Sequence, residues 1–498
     1  MNRTTLSLIA GATALAAVTG FAALTAPGAS GDGTAKAAAQ LPVERTSLLC
    51  PQPSTSDLAE TAYTSFTPVT KGTGDKGKAE LAAAGEDSAD GDSGGKKTGK
   101  ATKPVLEPKE PGKPVTGSAD GAEAPALIGL AEGTFAPGWT VQETTEVSVG
   151  TGRGLLGTNC TAPDTEFWFP GASTAAGRTD YVHLTNPDDS AAVVDIELYG
   201  KDGALKTTVG EGIAVKPHSS EPVLLSTLTE KAENDLTVHV SVRSGRVAAA
   251  VQALDEKAGG DWLAPSADPA RSVVIPGIPK DATSVRLVAF APGERDADLK
   301  IRLTSPSGPI TPAGNETLHV KAGMTAAADL GDVTRGEAGS LVLTPTDGSV
   351  PVVAAVRVVR GKGAKQETAF IAGSREVGQR ASVADNRSKG VTLALTAPGR
   401  TAEVKVTASA GSQGGTPTTK TYTIKSGTTE NVPAPVPSGL KGTYALTVEP
   451  VSGGPVHASR MLETTTDGVP GFTIQPLQDD RGTVAVPNAE QDLSVLQR

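Results

Sequence analysis

Aromatic residues are scarce in this chain, with three Trp, five Tyr and eight Phe in 498 residues. Its cores must therefore be built from Val, Leu, Ile and Ala, and few rings remain for stacking on a ligand. Histidine (five) and cysteine (two) are as sparse, which leaves little material for metal centres or imidazole acid–base work. There is no basic surplus either, because 45 Lys and Arg stand against 55 Asp and Glu for a net charge of −10. That balance cannot neutralise a phosphate backbone, so no nucleic acid partner is expected. H-E-x-x-H, G-x-S-x-G, a P-loop and a helix-opening G-x-G-x-x-G are all missing. The expectation is a protein that is not an enzyme, with no catalytic, cofactor-binding or metal-ligating residue and no cofactor.

What is present begins with an export segment. Arg3 supplies the positive flank of an uncharged apolar run over 6–24, and residues 1–30 read as a signal peptide or an N-terminal transmembrane anchor helix. No cysteine follows the run closely, which argues against lipoprotein processing. The remainder is expected outside the cytoplasm, membrane-anchored or secreted. Cys50 and Cys160 form an even pair suited to that compartment. A disulfide between them is expected, with free thiols or an intermolecular bridge as the alternatives.

Residues 31–69 and 126–165 carry strand-like stretches at 62–69 and 140–149, and between them the chain is rich in Gly, Lys, Asp, Glu, Ser and Pro. Such a composition cannot offset its ordering entropy, and 70–125 reads as a disordered low-complexity insertion, a stalk. Its Lys96, Lys97, Lys100, Lys103, Lys109 and Lys113 form a basic run, read as a solvated spacer, with contact to anionic cell-wall polymers as the alternative.

The remaining sequence repeats itself. Leu184-Thr185-Asn186-Pro187, Ala289-Phe290-Ala291-Pro292 and Leu395-Thr396-Ala397-Pro398 close matching strand signals, and their prolines are 292−187 = 105 and 398−292 = 106 positions apart. Hairpin strands beginning at Val247, Val352 and Val456 keep the same step. About seven short alternating strands per ~100 residues give the rhythm of an immunoglobulin-like sandwich. The expected fold is all-β, with tandem immunoglobulin-like β-sandwich repeats at 166–271, 272–383 and 384–498. Each is expected to fold semi-independently with modest interfaces.

Few side chains stand out as sites. Trp168 and Trp262 lie near the two ends of the first repeat and read as core-edge packing or as a candidate ligand platform. His183, His239 and His457 fall on strand positions and read as half-exposed strand residues, and Asp188 with Asp189 reads as a turn pair.

Leu48-Leu49-Cys50-Pro51-Gln52-Pro53, Cys160 ahead of Phe167-Trp168-Phe169-Pro170-Gly171, and the Leu184 to Pro187 element together resemble an uncharacterised family of exported proteins from high-GC Gram-positive bacteria. The second and third repeats depart from its pattern by carrying Ala-Pro for Asn-Pro. The resemblance implies an envelope setting, near a multi-spanning glycosyltransferase, and brings no catalytic residues. The resulting expectation is a structural or adaptor role, with binding of wall glycan or exported polysaccharide as the alternative.

Overall fold

The computed structural model describes residues 39–85, 104–348, 350–466 and 468–486. The expected signal or anchor segment and the lysines from Lys96 to Lys103 lie outside these residues. Among the described residues the structure is all-β, with only two short 3-10 turns, and no helix is long and apolar enough to cross a membrane.

Two bodies are distinguished. One gathers the chain ends, where Ala39–Pro42 pairs with Thr483–Val486. The other spans Pro42–Thr483 and holds every remaining sheet.

Within Pro42–Thr483 one strand order occurs four times. In the second sheet pair it runs Ser220–Leu224, Arg178–Thr185, Ala248–Asp255, Gly259–Leu263. The third repeats it with Thr325–Asp329, Ala282–Phe290, Val353–Arg360 and Glu367–Ala372, and the fourth with Thr428–Pro433, Val391–Ala397, His457–Thr466 and Val469–Leu477. A second antiparallel sheet faces each of these, and apolar side chains from both faces fill the space between. Alternation drives this packing: in Ala192–Gly200, Val194, Ile196 and Leu198 are buried while Asp195 and Glu197 turn outward.

The N-terminal region corrects the sequence reading. Residues 70–125, expected to be disordered, contain the strands Gly77–Ala83 and Val115–Asp120. With Ala59–Phe66, Thr140–Val147 and Gly154–Asn159 the latter completes the same strand order, so this region is a fourth sheet pair, first in the chain. Strand pairing outweighs composition here: every residue of Gly77–Ala83 is matched on Leu127–Gly133, and Leu81 is fully buried. Cys50 and Cys160 are disulfide-bonded. The bond staples the end of Arg45–Cys50, in one sheet, to the residue following Gly154–Asn159 in the facing sheet.

The four pairs do not hang as beads with modest interfaces. The last strand of each, here called its inner strand, is Gly154–Asn159, Gly259–Leu263, Glu367–Ala372 or Val469–Leu477, and each lies against the next, the fourth returning to the first. The exchange of side chains is cyclic. Trp262 of the second pair packs on Ala59, Val147 and Leu156 of the first, and Phe370 of the third enters the core of the second. Phe472 and Ile474 of the fourth enter the core of the third, and Leu155 of the first enters that of the fourth. Burying these chains outside their own pair makes the pairs interdependent.

Candidate functional site

At the centre of this ring stands Asp261, on the second inner strand and fully buried. Its carboxylate accepts the Gly157 N–H at 3.0 Å from the first inner strand and the Thr473 hydroxyl at 3.0 and 3.1 Å from the fourth. Backbone N–H groups of Trp262 and of Phe370, on the third, also reach it. One side chain is thus bonded to all four inner strands. Burial holds its carboxyl well above the usual range, and these hydrogen bonds only partly oppose that shift.

The four seams around this hub differ in chemistry. Gly157, Trp262, Phe370 and Ile474 take the same place in the four inner strands, opposite Thr144, Gln252, Arg357 and Met461. Three of these positions fill a seam with apolar bulk. At the fourth, Gly157 leaves room for the Gln475 amide, which donates to Thr473 Oγ1 at 2.8 Å, and a Cβ on Gly157 would stand 2.2 Å from Gln475 Nε2. The first and fourth pairs also bury polar groups facing their interiors. Glu143 and Arg460 stand where the other two pairs carry Val251 and Val356. Burial raises the Glu143 carboxyl well above its ordinary value and lowers Arg460 to about 10. Across the same seam Arg387 binds Glu146 at 2.8 Å.

A cleft of about 1440 Å³ opens where the inner strands end. Gly157 to Cys160, Trp262 with Ala264, Ala372 with Gly373, and Ile474 to Leu477 all line it, so each inner strand contributes its C-terminal end. The second pair adds the turn at Pro187. There Asn186 Nδ2 donates to the carbonyls of Ser190 and Val215 at 2.8 and 3.0 Å, and its Oδ1 accepts the Asp188 N–H at 3.0 Å. The Asn-Pro that distinguishes this pair from the Ala-Pro of the next two therefore shapes the cleft wall. Asp188 is held by Arg246 and Asp189 by His218 at 2.7 Å, so the turn pair also anchors charge.

The tryptophans are not an exposed platform. Trp168 is 7 % exposed and Trp262 2 %. Trp168 stacks on His239, with centroids 3.8 Å apart, and packs with Phe290 and Val353 of the third pair. Its Nε1 donates to Glu166 Oε1 at 3.0 Å. Trp262 sits in the seam between the first two pairs, edge-on to His183 at 5.2 Å. The rings lie in different sheets, Trp168 in one seam and Trp262 in the next. Burial in seams is the physical reason that neither presents a face to solvent, although Trp262 lines the cleft.

His183 departs from expectation too. It is buried, without a hydrogen-bond partner on either nitrogen, and burial lowers its pKa to about 4. His457 is also pushed down to about 4 by burial and lies 3.0 Å from Ser374 Oγ. Lys109 and Lys113 pair with Glu107 and Glu110 at the surface. Among the described residues no group of three or more His, Cys, Asp or Glu is placed to hold a metal ion.

The sequence reading missed Asp261, Gly157, Thr473 and Gln475. One signal was available: aligning the hairpin strands sets Arg460 against Val251 and Val356, a charge at a core position.

A family of unknown function, DUF5719, matches residues 115–435, well over half of the chain. The chain belongs to that family. The DUF5719 match starts at the strand Val115–Asp120 of the first sheet pair and ends just past Thr428–Pro433 in the fourth, so it includes the second and third pairs whole. No curated protein and no solved structure matches the chain.

Proposed function

We propose that this DUF5719 protein is a non-catalytic structural or adaptor component of the bacterial cell envelope, exported and held outside the cytoplasm by its N-terminal segment or released from it. The observation that carries this reading is the closed ring. Four sheet pairs, of immunoglobulin-like type in tandem, share one buried hub at Asp261 and present their outer surfaces in fixed relation. A rigid body of this kind suits spacing or docking envelope components, and the Cys50–Cys160 disulfide suits an oxidising compartment. Partners in keeping with the reading are the membrane, through residues 1–30, and an envelope glycosyltransferase of a high-GC Gram-positive host.

Cell fractionation with N-terminal sequencing of the mature protein tests this. Full-length protein recovered mainly from the cytoplasm overturns export, and turnover of a substrate panel that is lost on a single-residue change overturns the non-catalytic reading.

A second reading, binding of cell-wall glycan or exported polysaccharide, is favoured by the cleft at the ends of the inner strands. Retention on purified wall and polysaccharide fractions tests it, and no retention at any salt concentration removes it.

A further inference from the structure

The ring closes on itself at a seam that the chain does not cross. Short connections at 160–165, 264–272 and 373–380 carry the chain from each pair into the next, whereas the fourth pair meets the first only through non-covalent contacts. The chain ends pair with each other too, Ala39–Pro42 on Thr483–Val486, again by strand pairing alone. A connection of a few residues keeps two surfaces at high effective concentration, and the first–fourth seam lacks one.

This seam is also the poorest in apolar contact. Trp262, Phe370 and Ile474 each send a large side chain into the preceding pair, and Gly157 takes their place at the first–fourth seam. Leu155 remains there, with Phe66 against Ala384 and Ala445. Polar groups on both sides are sealed from water without partners: Thr144 Oγ1 opposite Gly157, Gln475 Oε1, and all three guanidinium nitrogens of Arg460 in the fourth pair. Each forgoes hydrogen bonds while the seam is shut and gains water when it parts. What holds the seam is a small set of polar bonds. Arg380, leading into the fourth pair, binds Asp480 and donates to two groups of the first pair, Thr70 Oγ1 at 3.1 Å and the Pro137 carbonyl at 3.5 Å. Arg387 binds Glu146 at 2.8 Å, and the Val43 N–H donates to the Gly482 carbonyl at 3.1 Å.

We propose that the ring opens at the first–fourth seam, with Arg380 and Arg387 as its clasp, while the other three seams stay closed. The open form is a minor state below the global unfolding transition, since parting the seam exposes Leu155 and Phe66. Opening also reshapes the cleft. Its walls include Arg45 to Leu48, Trp139 and Thr140 on the first pair's side and Ser382 with Ile474 to Arg481 on the fourth's, so parting the seam widens it.

Double electron–electron resonance on the full-length protein tests this, with spin labels at exposed positions. Val69→Cys with Val451→Cys spans the first and fourth pairs, and Val209→Cys with Lys321→Cys spans the second and third. The native cysteines are disulfide-bonded and take no label. Distances are read in urea at concentrations below the global unfolding midpoint. The proposal expects a second, longer first–fourth distance in the otherwise wild-type chain, about tenfold more populated in Arg380→Gln, and one unchanged second–third distance. A single first–fourth distance up to the global transition overturns the proposal, as does lengthening across both seams together. Opening that Arg380→Gln leaves unchanged overturns the clasp. Should Arg380→Gln fail to fold, the wild-type background alone decides whether the seam opens.

Discussion

Thr473 Oγ1 donates to the Asp261 carboxylate at 3.0 Å, and this bond ties the fourth sheet pair directly to the second across the centre of the ring. The same carboxylate holds the Gly157 N–H of the first pair. A buried acid with neutral donors around it and no cation hydrogen-bonded to it is cheapest to keep protonated.

Asp261 therefore makes the fold less stable as pH rises. Burial holds its folded-state pKa well above the ordinary carboxyl value of 3.8, so the folded chain holds a proton that the unfolded chain releases. Stability from this group is greatest below about pH 4 and declines as pH climbs towards the folded-state value. Asp261→Asn, which keeps the shape and stays neutral, is expected to remove that decline, and Asp261→Ala to cost about 2–4 kcal/mol by leaving donors unpaired. Urea unfolding at pH 4, 6 and 8 measures this; parallel curves for wild type and Asp261→Asn would show that the acid ionises in the fold without penalty.

Unfolding should be one transition for the whole Pro42–Thr483 body. Phe370 is part of the second pair's core although it belongs to the third, and Leu155 closes the ring on the fourth. Phe370→Ala is expected to destabilise by about 3–5 kcal/mol and to lower a single calorimetric peak. A fragment comprising 166–271 lacks Phe370 and should lack cooperative melting. Well-separated peaks, with only one of them moved by Phe370→Ala, would restore the picture of independent units.

His183 acts at the acid end. A base whose folded pKa is about 4 against 6.5 when free contributes stability that is complete above pH 6.5. That stability is lost as pH falls towards 4, by up to ~3 kcal/mol. Asp180, raised to about 6 chiefly by burial, works in the opposite sense across much of this range. The informative quantity is thus the difference between wild type and His183→Leu. It should change in the variant's favour on going from pH 7 to pH 4.5, and a difference independent of pH refutes the assignment.

The all-β architecture and three of the four sheet pairs were legible because Pro187, Pro292 and Pro398 recur at one spacing and their strands alternate cleanly. The first pair was hidden. Its core-facing positions include Tyr63, Glu143 and Thr145 where the others carry aliphatics, and a long polar connection parts its strands. Ring closure was not legible, because Phe370 and Leu155 look like ordinary core residues until the neighbouring pair is in place. Trp168 and Trp262 stand out in the sequence near the two ends of the second pair. Which surfaces they pack against depends on the seams, and no local pattern encodes those.

The disulfide staples the two facing sheets of the first pair, where Cys50 is fully buried and Cys160 nearly so. Replacing both with Ala should lower stability by about 2–4 kcal/mol and remove the sensitivity of the melting temperature to reductant. Peptide mapping without reduction should join the Cys50 and Cys160 peptides. Free thiols at both positions in protein recovered from an oxidising compartment would contradict the bond.

Gly157 and Gln475 should be energetically coupled. The three equivalent seams are filled by Trp262, Phe370 and Ile474, and only Gly157 leaves space, which the Gln475 amide and Thr473 occupy. A Cβ at 157 would meet Gln475 Nε2 at 2.2 Å and Thr473 Cγ2 at 2.6 Å. The amide lies at the end of a flexible side chain and can retreat, whereas the threonine methyl is branched at Cβ and fixed by the strand. Gly157→Ala is therefore expected to cost about 1–3 kcal/mol as overpacking. Gln475→Ala should relieve part of that cost and leave the part due to Thr473. The double-mutant cycle should show a favourable coupling of at least about 0.5 kcal/mol, read from chemical denaturation. Strict additivity would mean that the two side chains do not compete for one space, and the polar seam between the first and fourth pairs would then be looser than the distances at Gly157 require.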